Sequence, residues 1–309
     1  MMKLSKTLMS LLTAAVALLS LSLAFAVPSG AIPSETAMRY QNEAPVDWGS
    51  DEDEDFVANW DEGASAAPYR VTASAAASDV VFTADAASLA LSIDQPGNAP
   101  IEDNYTDTSY ADDTISVTLE DVRQDDSNYH VAHVQIATAS QLRTAVAGGF
   151  GSNRTYKTSV FAQSMNAVLA VNGDFYTKTK AGFIIRQGET YRTKTSKNMD
   201  LLLIDENADF HIVLRGHDNQ KAEVATLQAE HSIINGFFFG PALVVDGVTQ
   251  EVPSDYQFNP SGREPRAAIG QLAPLTYVVV TVDGRIDDSN GVTLQTLANF
   301  MSQLGCQQA

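Results

Sequence analysis

Apolar and polar positions alternate along Thr114-Ile-Ser-Val-Thr-Leu119 and again along Tyr129-His-Val-Ala-His-Val-Gln-Ile136. A period of two sends successive side chains to opposite faces, so both stretches predict half-buried strands. Ala167-Val-Leu-Ala-Val171 and Tyr277-Val-Val-Val-Thr-Val282 are instead solid apolar runs. They are short for helices and rich in β-branched residues, which predicts strands buried on both faces. Gly182-Phe-Ile-Ile-Arg186 and Glu189-Thr-Tyr-Arg192 flank Gln187-Gly188, a hairpin signature. Leu201-Leu-Leu-Ile204 and Phe210-His-Ile-Val-Leu214 flank another turn, Asp205–Asp209, and Leu243-Val-Val245 runs into Asp246-Gly247.

Helical spacing is rarer. Leu294, Leu297, Met301 and Leu304 share one face of a helix that Thr293 can cap and Gly305 can end. Lys157–Asn166 predicts a short helix, and Ala139–Ala147 another, closed by Gly148-Gly149. Strands outnumber helices and turns recur about every ten residues, a spacing usual for sheet-rich domains. The fold class expected is α+β: a mixed β-sheet core with a few packed helices, not a doubly wound sheet.

The first 104 residues have a different texture. Lysines at positions 3 and 6, an apolar run from Leu8 to Phe25 and an A-x-A site at Ala24-Phe25-Ala26 make 1–26 a secretory signal peptide cleaved after Ala26. Residues 27–104 follow as an acidic, Ala/Ser-rich spacer containing Asp51-Glu-Asp-Glu-Asp55; they are expected to be largely disordered because they offer little apolar surface to bury. Val80-Val-Phe82 with Leu89-Ala-Leu-Ser-Ile93 is the one stretch there that suggests a short element. The domain is placed at 105–309.

Charge sharpens this division. Of the formal net charge of −19, residues 27–113 carry −16, from 18 acidic and 2 basic side chains. The acidity belongs mainly to the spacer, and it argues against nucleic acid as a partner and against any membrane association beyond export. The single cysteine, Cys306, excludes an intrachain disulfide and reads as a small core residue behind the last helix.

No serine-nucleophile elbow, phosphate-cradling glycine loop, HExxH helix or paired cysteine set occurs. His130 and His133 are spaced for opposite faces of one strand, and His211, His217 and His231 lie scattered with no ligand spacing. Polar residues next to glycine or proline at strand ends remain: Asn172-Gly-Asp174, Glu264-Pro-Arg266 and Asp283-Gly-Arg285. An arginine there suits a phosphate, whose oxygens its planar fork can bridge, and paired carboxylates suit glycoside cleavage. Read as turn residues, the same side chains would hydrogen-bond their own backbone.

Six segments in order resemble the phosphodiester glycosidase family: Asn172-Gly-Asp-Phe-Tyr176, Gly182–Gly188, Phe239-Gly-Pro-Ala-Leu243, Pro265-Arg-Ala-Ala-Ile-Gly270, Val282-Asp-Gly-Arg285 and Gly291-Val-Thr-Leu294. The resemblance runs from about Asp113 to Ala309. Each segment alone is a weak signal; their shared order is a strong one. The resemblance implies a secreted or envelope-associated bacterial protein that hydrolyses a sugar-1-phosphodiester in an envelope or extracellular glycan. Asp174 and Asp283 are the candidate catalytic carboxylates, Asp174 standing where many members of the family have Gly; Asn172, Arg186, Arg266, Gly240 and Gly284 are the candidates for binding substrate, with the two arginines taking the phosphate. A carbohydrate or sugar-phosphodiester is the expected partner and no cofactor is expected; the resemblance does not decide whether a metal is used. The family continues past the last helix with a strand and an N-L-D-G-G-G-S turn, so the chain is expected to stop short of a central part of the site. The alternatives are a non-catalytic cell-envelope glycan-binding module, with Tyr176, Tyr191 and Phe237–Phe239 as its nearest aromatics, and an inactive truncated fragment.

Overall fold

The computed structural model describes residues 21–23, 95–147, 154–174 and 181–309. The rest of the predicted signal sequence and the spacer up to residue 94 lie outside the described residues, as do Val80–Phe82, Leu89–Ile93, Gly148-Gly149 and Tyr176. In chain order the strands are β1 (Leu21–Leu23), β2 (Ser109–Ala111), β3 (Ile115–Gln124), β4 (Ser127–Ile136), β5 (Leu142–Thr144), β6 (Ala170–Val171), β7 (Gly182–Arg186) and β8 (Glu189–Lys194). They continue with β9 (Leu201–Ile204), β10 (Phe210–Val213), β11 (Asn235–Phe238), β12 (Val244–Val245), β13 (Val248–Thr249), β14 (Arg266–Ala273) and β15 (Thr276–Val282). The helices are α1 (Thr158–Met165), α2 (His217–Glu230) and α3 (Leu294–Gln303).

Two five-stranded sheets dominate, ordered β14-β15-β4-β3-β2 and β10-β9-β11-β7-β8. The α+β class is as expected, but the mixed sheet is not: every strand pairing among the described residues is antiparallel. Tight turns account for much of this. Asp125-Asp126, Gln187-Gly188 and Asp246-Gly247 each place two successive residues at positive φ. That is the turn whose twist joins adjacent antiparallel strands, and it cannot link parallel ones.

Alternation along the strands builds a layered body. On β4, Ala132, Val134 and Ile136 face the second sheet, while Tyr129 and Val131 face α3. On β15, Tyr277 and Val279 face inward and Val278, Val280 and Val282 outward. Phe210 and Phe237 meet the inner face from the second sheet, and Phe210 packs its ring 5.3 Å from that of Tyr277. The outer face of the second sheet, with Phe183, Ile185, Leu201 and Leu203, is covered by Val224 of α2. The order is thus helix, sheet, sheet, helix, with apolar contacts between each pair of layers.

The α3 expectations hold in detail. The Thr293 hydroxyl accepts from the Thr296 amide at 3.0 Å, Gly305 follows the helix at φ +87°, and Cys306 is buried behind it. Residues Ala139–Ala147 differ from expectation. A single 3-10 turn, Ala139–Gln141, is closed by the Gln141 side-chain Oε1, which accepts from the Ala137 and Thr138 amides at 2.8 and 2.9 Å, and Leu142 then enters the core as β5. α2 was not expected. Its inward face is narrow, and Gln220 anchors it by accepting from Ser196 N and donating to Met199 O, both at 2.7 Å. Ordered packing begins before residue 105, since Gly97 donates to Met165 O and accepts from the Asn166 side chain. No helix among the described residues is long and apolar enough to cross a membrane.

Leu297 lies fully buried between α3 and the first sheet. Leu297→Ala should cost about 2–5 kcal/mol, through lost burial and the cavity left behind. Urea unfolding would register this as a lower midpoint with little change in slope.

Candidate active site

The strands β6, β7 and β11 converge on one buried ion pair. Arg186 is the last residue of β7, and Asp174 stands three residues beyond β6. Their side chains are 3% and 1% exposed, and Arg186 Nη2 donates to Asp174 Oδ1 at 2.5 Å. The other carboxylate oxygen accepts from the Phe238 amide of β11 at 2.8 Å. Arg186 Nη1 donates to the carbonyls of Ile185 and Gly236, and the guanidinium lies 4.4 Å over the ring of Phe237. Charge, hydrogen bonding and ring stacking therefore hold one arginine to β11 and to the loop after β6. Gly182 makes the approach possible. It sits at φ +98°, and a Cβ there would fall 2.1 Å from the Phe238 ring.

Polar groups gather around the pair. Arg192 on β8 lies close enough to Asp174 and Arg186 to feel both charges; burial lowers its pKa, Asp174 raises it and Arg186 lowers it further. Asn235, fully buried on β11, accepts from Gln187 N at 3.0 Å, and Gln187 in turn accepts from Thr144 N at 3.1 Å. The Asn235 amide nitrogen and the Asn172 amide oxygen are buried without a hydrogen-bond partner among the described residues. Unsatisfied buried amides are costly unless a water or a ligand completes them. Two guanidinium groups and one carboxylate make a centre of net positive charge, suited to an anion.

The other expected site residues lie elsewhere. Asp283 follows β15 as anticipated, but its carboxylate binds His130 Nε2 at 3.0 Å while His130 Nδ1 binds Asp121 at 2.6 Å. Asp174 and Asp283 thus belong to separate clusters, one on each main sheet. Arg266, expected as a phosphate ligand, has its donors on backbone carbonyls. Its guanidinium donates to the backbone carbonyls of Val292, Phe258, Asn259 and Gly262, and burial lowers its pKa to about 10 against the raising effect of Glu264. It clamps the 258–262 loop to the strand. Glu264 pairs with Arg285. A Cβ on Gly240 would fall 2.2 Å from the Tyr256 hydroxyl, and one on Gly284 would fall 2.6 Å from Pro265 N, so both glycines answer to close packing.

Residues 165–309, which include Asn172, Asp174 and Arg186, match the family model described as phosphodiester glycosidase. Among solved structures, a zebrafish N-acetylglucosamine-1-phosphodiester alpha-N-acetylglucosaminidase catalytic domain, auto-inhibited by its pro-peptide, is similar at 14% identity and a TM-score of 0.44. The alignment covers 63% of this chain and 68% of that one. A hypothetical protein from Synechocystis is similar at 16% identity and a TM-score of 0.42, over 63% of this chain and 55% of its own. No curated protein matches the chain.

Arg192 and Asn235 escaped the sequence reading. Arg192 closes a hairpin already recognised, so its neighbourhood with Arg186 was open to inference from pairing; Asn235 carries no such signal inside its apolar run.

His130 yields a pH prediction. Burial lowers its pKa, but the hydrogen bonds and charges of Asp121 and Asp283 outweigh that and raise it from 6.5 to about 10. A histidine with a raised folded pKa contributes stability fully below about 6.5, and loses it as pH climbs towards 10. Urea midpoints of the native chain should therefore fall over that interval, and His130→Gln should flatten the fall; an unchanged profile in the variant would remove the assignment.

Proposed function

We propose that the chain is an exported hydrolase of sugar-1-phosphodiesters, acting on an envelope or extracellular glycan. The observation that carries this reading is the two-arginine, one-carboxylate centre beside Asn172, inside the segment that matches the family. A phosphodiester bears one negative charge, which balances the one positive charge in excess at Arg186, Arg192 and Asp174. Arg192, the less buried of the two arginines, engages the phosphate, and Arg186 supplies the field behind it. Asp174 has both oxygens occupied and acts as a positioning residue that holds Arg186 in place. The Asn172 oxygen and the Asn235 nitrogen accept from and donate to the sugar hydroxyls or the phosphate. Export rests on the lysines at 3 and 6, the apolar run and the Ala24-Phe25-Ala26 site. Cleavage after Ala26 would also remove β1, which pairs antiparallel with both β5 and β6.

A specific observation supports a second reading, glycan binding without turnover. Glycoside hydrolysis ordinarily uses two carboxylates flanking the scissile bond. Among the described residues the centre contains one, Asp174, and Asp283 is held by His130.

The test is release of sugar from a sugar-1-phosphodiester with a methyl aglycone, together with a direct binding measurement. Turnover by the native chain, with KM raised about 10–100-fold in Arg192→Ala from loss of a charge-assisted hydrogen bond, is the expected outcome. Binding without release favours the second reading. Neither binding nor release by folded protein would overturn both.

A further inference from the structure

The β9–β10 hairpin brings Asp205 and His211 together, and the end of α2 adds His231, twenty residues further along the chain. Asp205 follows β9, His211 is the second residue of β10, and His231 caps the C-terminus of α2. His211 Nε2 stands 3.0 Å from Asp205 Oδ2, and His231 Nδ1 stands 3.2 Å from the same oxygen. All three atoms lie within 4.8 Å of one another. The imidazole rings face each other at 4.8 Å between centroids, tilted by 39°.

We propose that Asp205, His211 and His231 form a binding site for one divalent transition ion of the zinc class. Zinc binds imidazole nitrogen and carboxylate oxygen at about 2.0–2.2 Å in tetrahedral geometry, which sets neighbouring ligand atoms about 3.3 Å apart. The two carboxylate-to-nitrogen spacings already match such an edge. An ion entering the triangle replaces the two ring protons that otherwise point at the shared oxygen. The carboxylate is preorganised, because its other oxygen accepts from the Asn207 and Asp209 amides of the turn at 2.8 and 3.0 Å. Its side chain is 1% exposed, while the histidines are 23% and 30% exposed. The base of the site is therefore buried and its mouth is wet, leaving a fourth position for water. Two imidazoles with one carboxylate favour zinc, cobalt or nickel over calcium or magnesium, which prefer all-oxygen shells.

The bound ion would staple the β9–β10 turn to the end of α2. Ile204 accepts from Ile234 N at 2.8 Å, and Ile234 O accepts from Gly188 N at 2.8 Å, so the staple lies along the hydrogen-bonded row that leads to the Gln187-Gly188 turn. The inference is independent of the proposed hydrolysis, since its readouts are binding and spectroscopy.

The experiment uses the full chain without an affinity tag, stripped with a chelator and titrated calorimetrically with zinc. One equivalent should bind, and His211→Ala and His231→Ala should each weaken it by at least the roughly 10–100-fold that loss of a mere outer-shell partner costs. Cobalt in the native chain supplies a readout that needs no variant: an intense visible spectrum of tetrahedral nitrogen and oxygen ligation. No zinc binding by the native chain, binding retained unchanged in either variant, or a weak octahedral cobalt spectrum would each overturn the proposal.

Discussion

One buried guanidinium organises the candidate active site. Arg186 reaches from the end of β7 to the backbone of β11, stacks on Phe237 and meets Asp174 from the loop after β6. Removing one partner of such a pair leaves the other as an uncompensated charge in a low-dielectric interior, typically at a cost of about 3–5 kcal/mol. A well-packed apolar pair would serve stability equally well, so stability alone does not explain why charges occupy this place. Their use is to fix geometry: the loop bearing Asn172, the hairpin bearing Arg192 and the strand bearing Asn235 are all referred to one rigid fork.

The layered body makes that fork hold. The inner faces of the two main sheets share a continuous apolar core, and each outer face is closed by a helix. Within this frame the polar chemistry lies at the margins. Asp121, His130 and Asp283 continue the inward-facing rows of β3, β4 and β15 beyond the packed core, where solvent reaches them. Arg266 works differently, spending its donors on loop carbonyls and so fixing the loop that leads into β14. Two arginines that look alike in sequence, each at a strand end beside a turn, thus have unlike surroundings. One is ion-paired with a carboxylate; the other gives its hydrogen bonds to backbone carbonyls.

How much of this was legible in the chain follows the physics of each feature. Period-two alternation identified β3 and β4, and positive-φ turn chemistry identified the β7–β8 and β12–β13 hairpins, because those signals are local. The cap at Thr293 and the stop at Gly305 were legible for the same reason. α2 was missed because Gln220, not an apolar stripe, anchors it, and Ala139–Ala147 misled because a side chain closes its single turn. At the site, Asn172 and Asp174 were singled out from a strand end and Arg186 from the family resemblance, and the fold joins Asp174 to Arg186 directly. Asp283 was chosen by the same rule but belongs to the other sheet. Strand ends mark where polar groups emerge; they do not say which ends meet. The meeting of His211 with His231 is of that kind too, since a helix intervenes between them.

The central claim is that Asp174 and Arg186 act as a single unit. A double-mutant cycle tests it most directly, with Asp174→Ala, Arg186→Met and their combination compared by equilibrium unfolding. The account predicts a coupling of about 1–3 kcal/mol, the double variant being less destabilised than the sum of the singles because neither charge is then left alone. Additivity to within about 0.5 kcal/mol would contradict it, since residues without a shared interaction add to that precision.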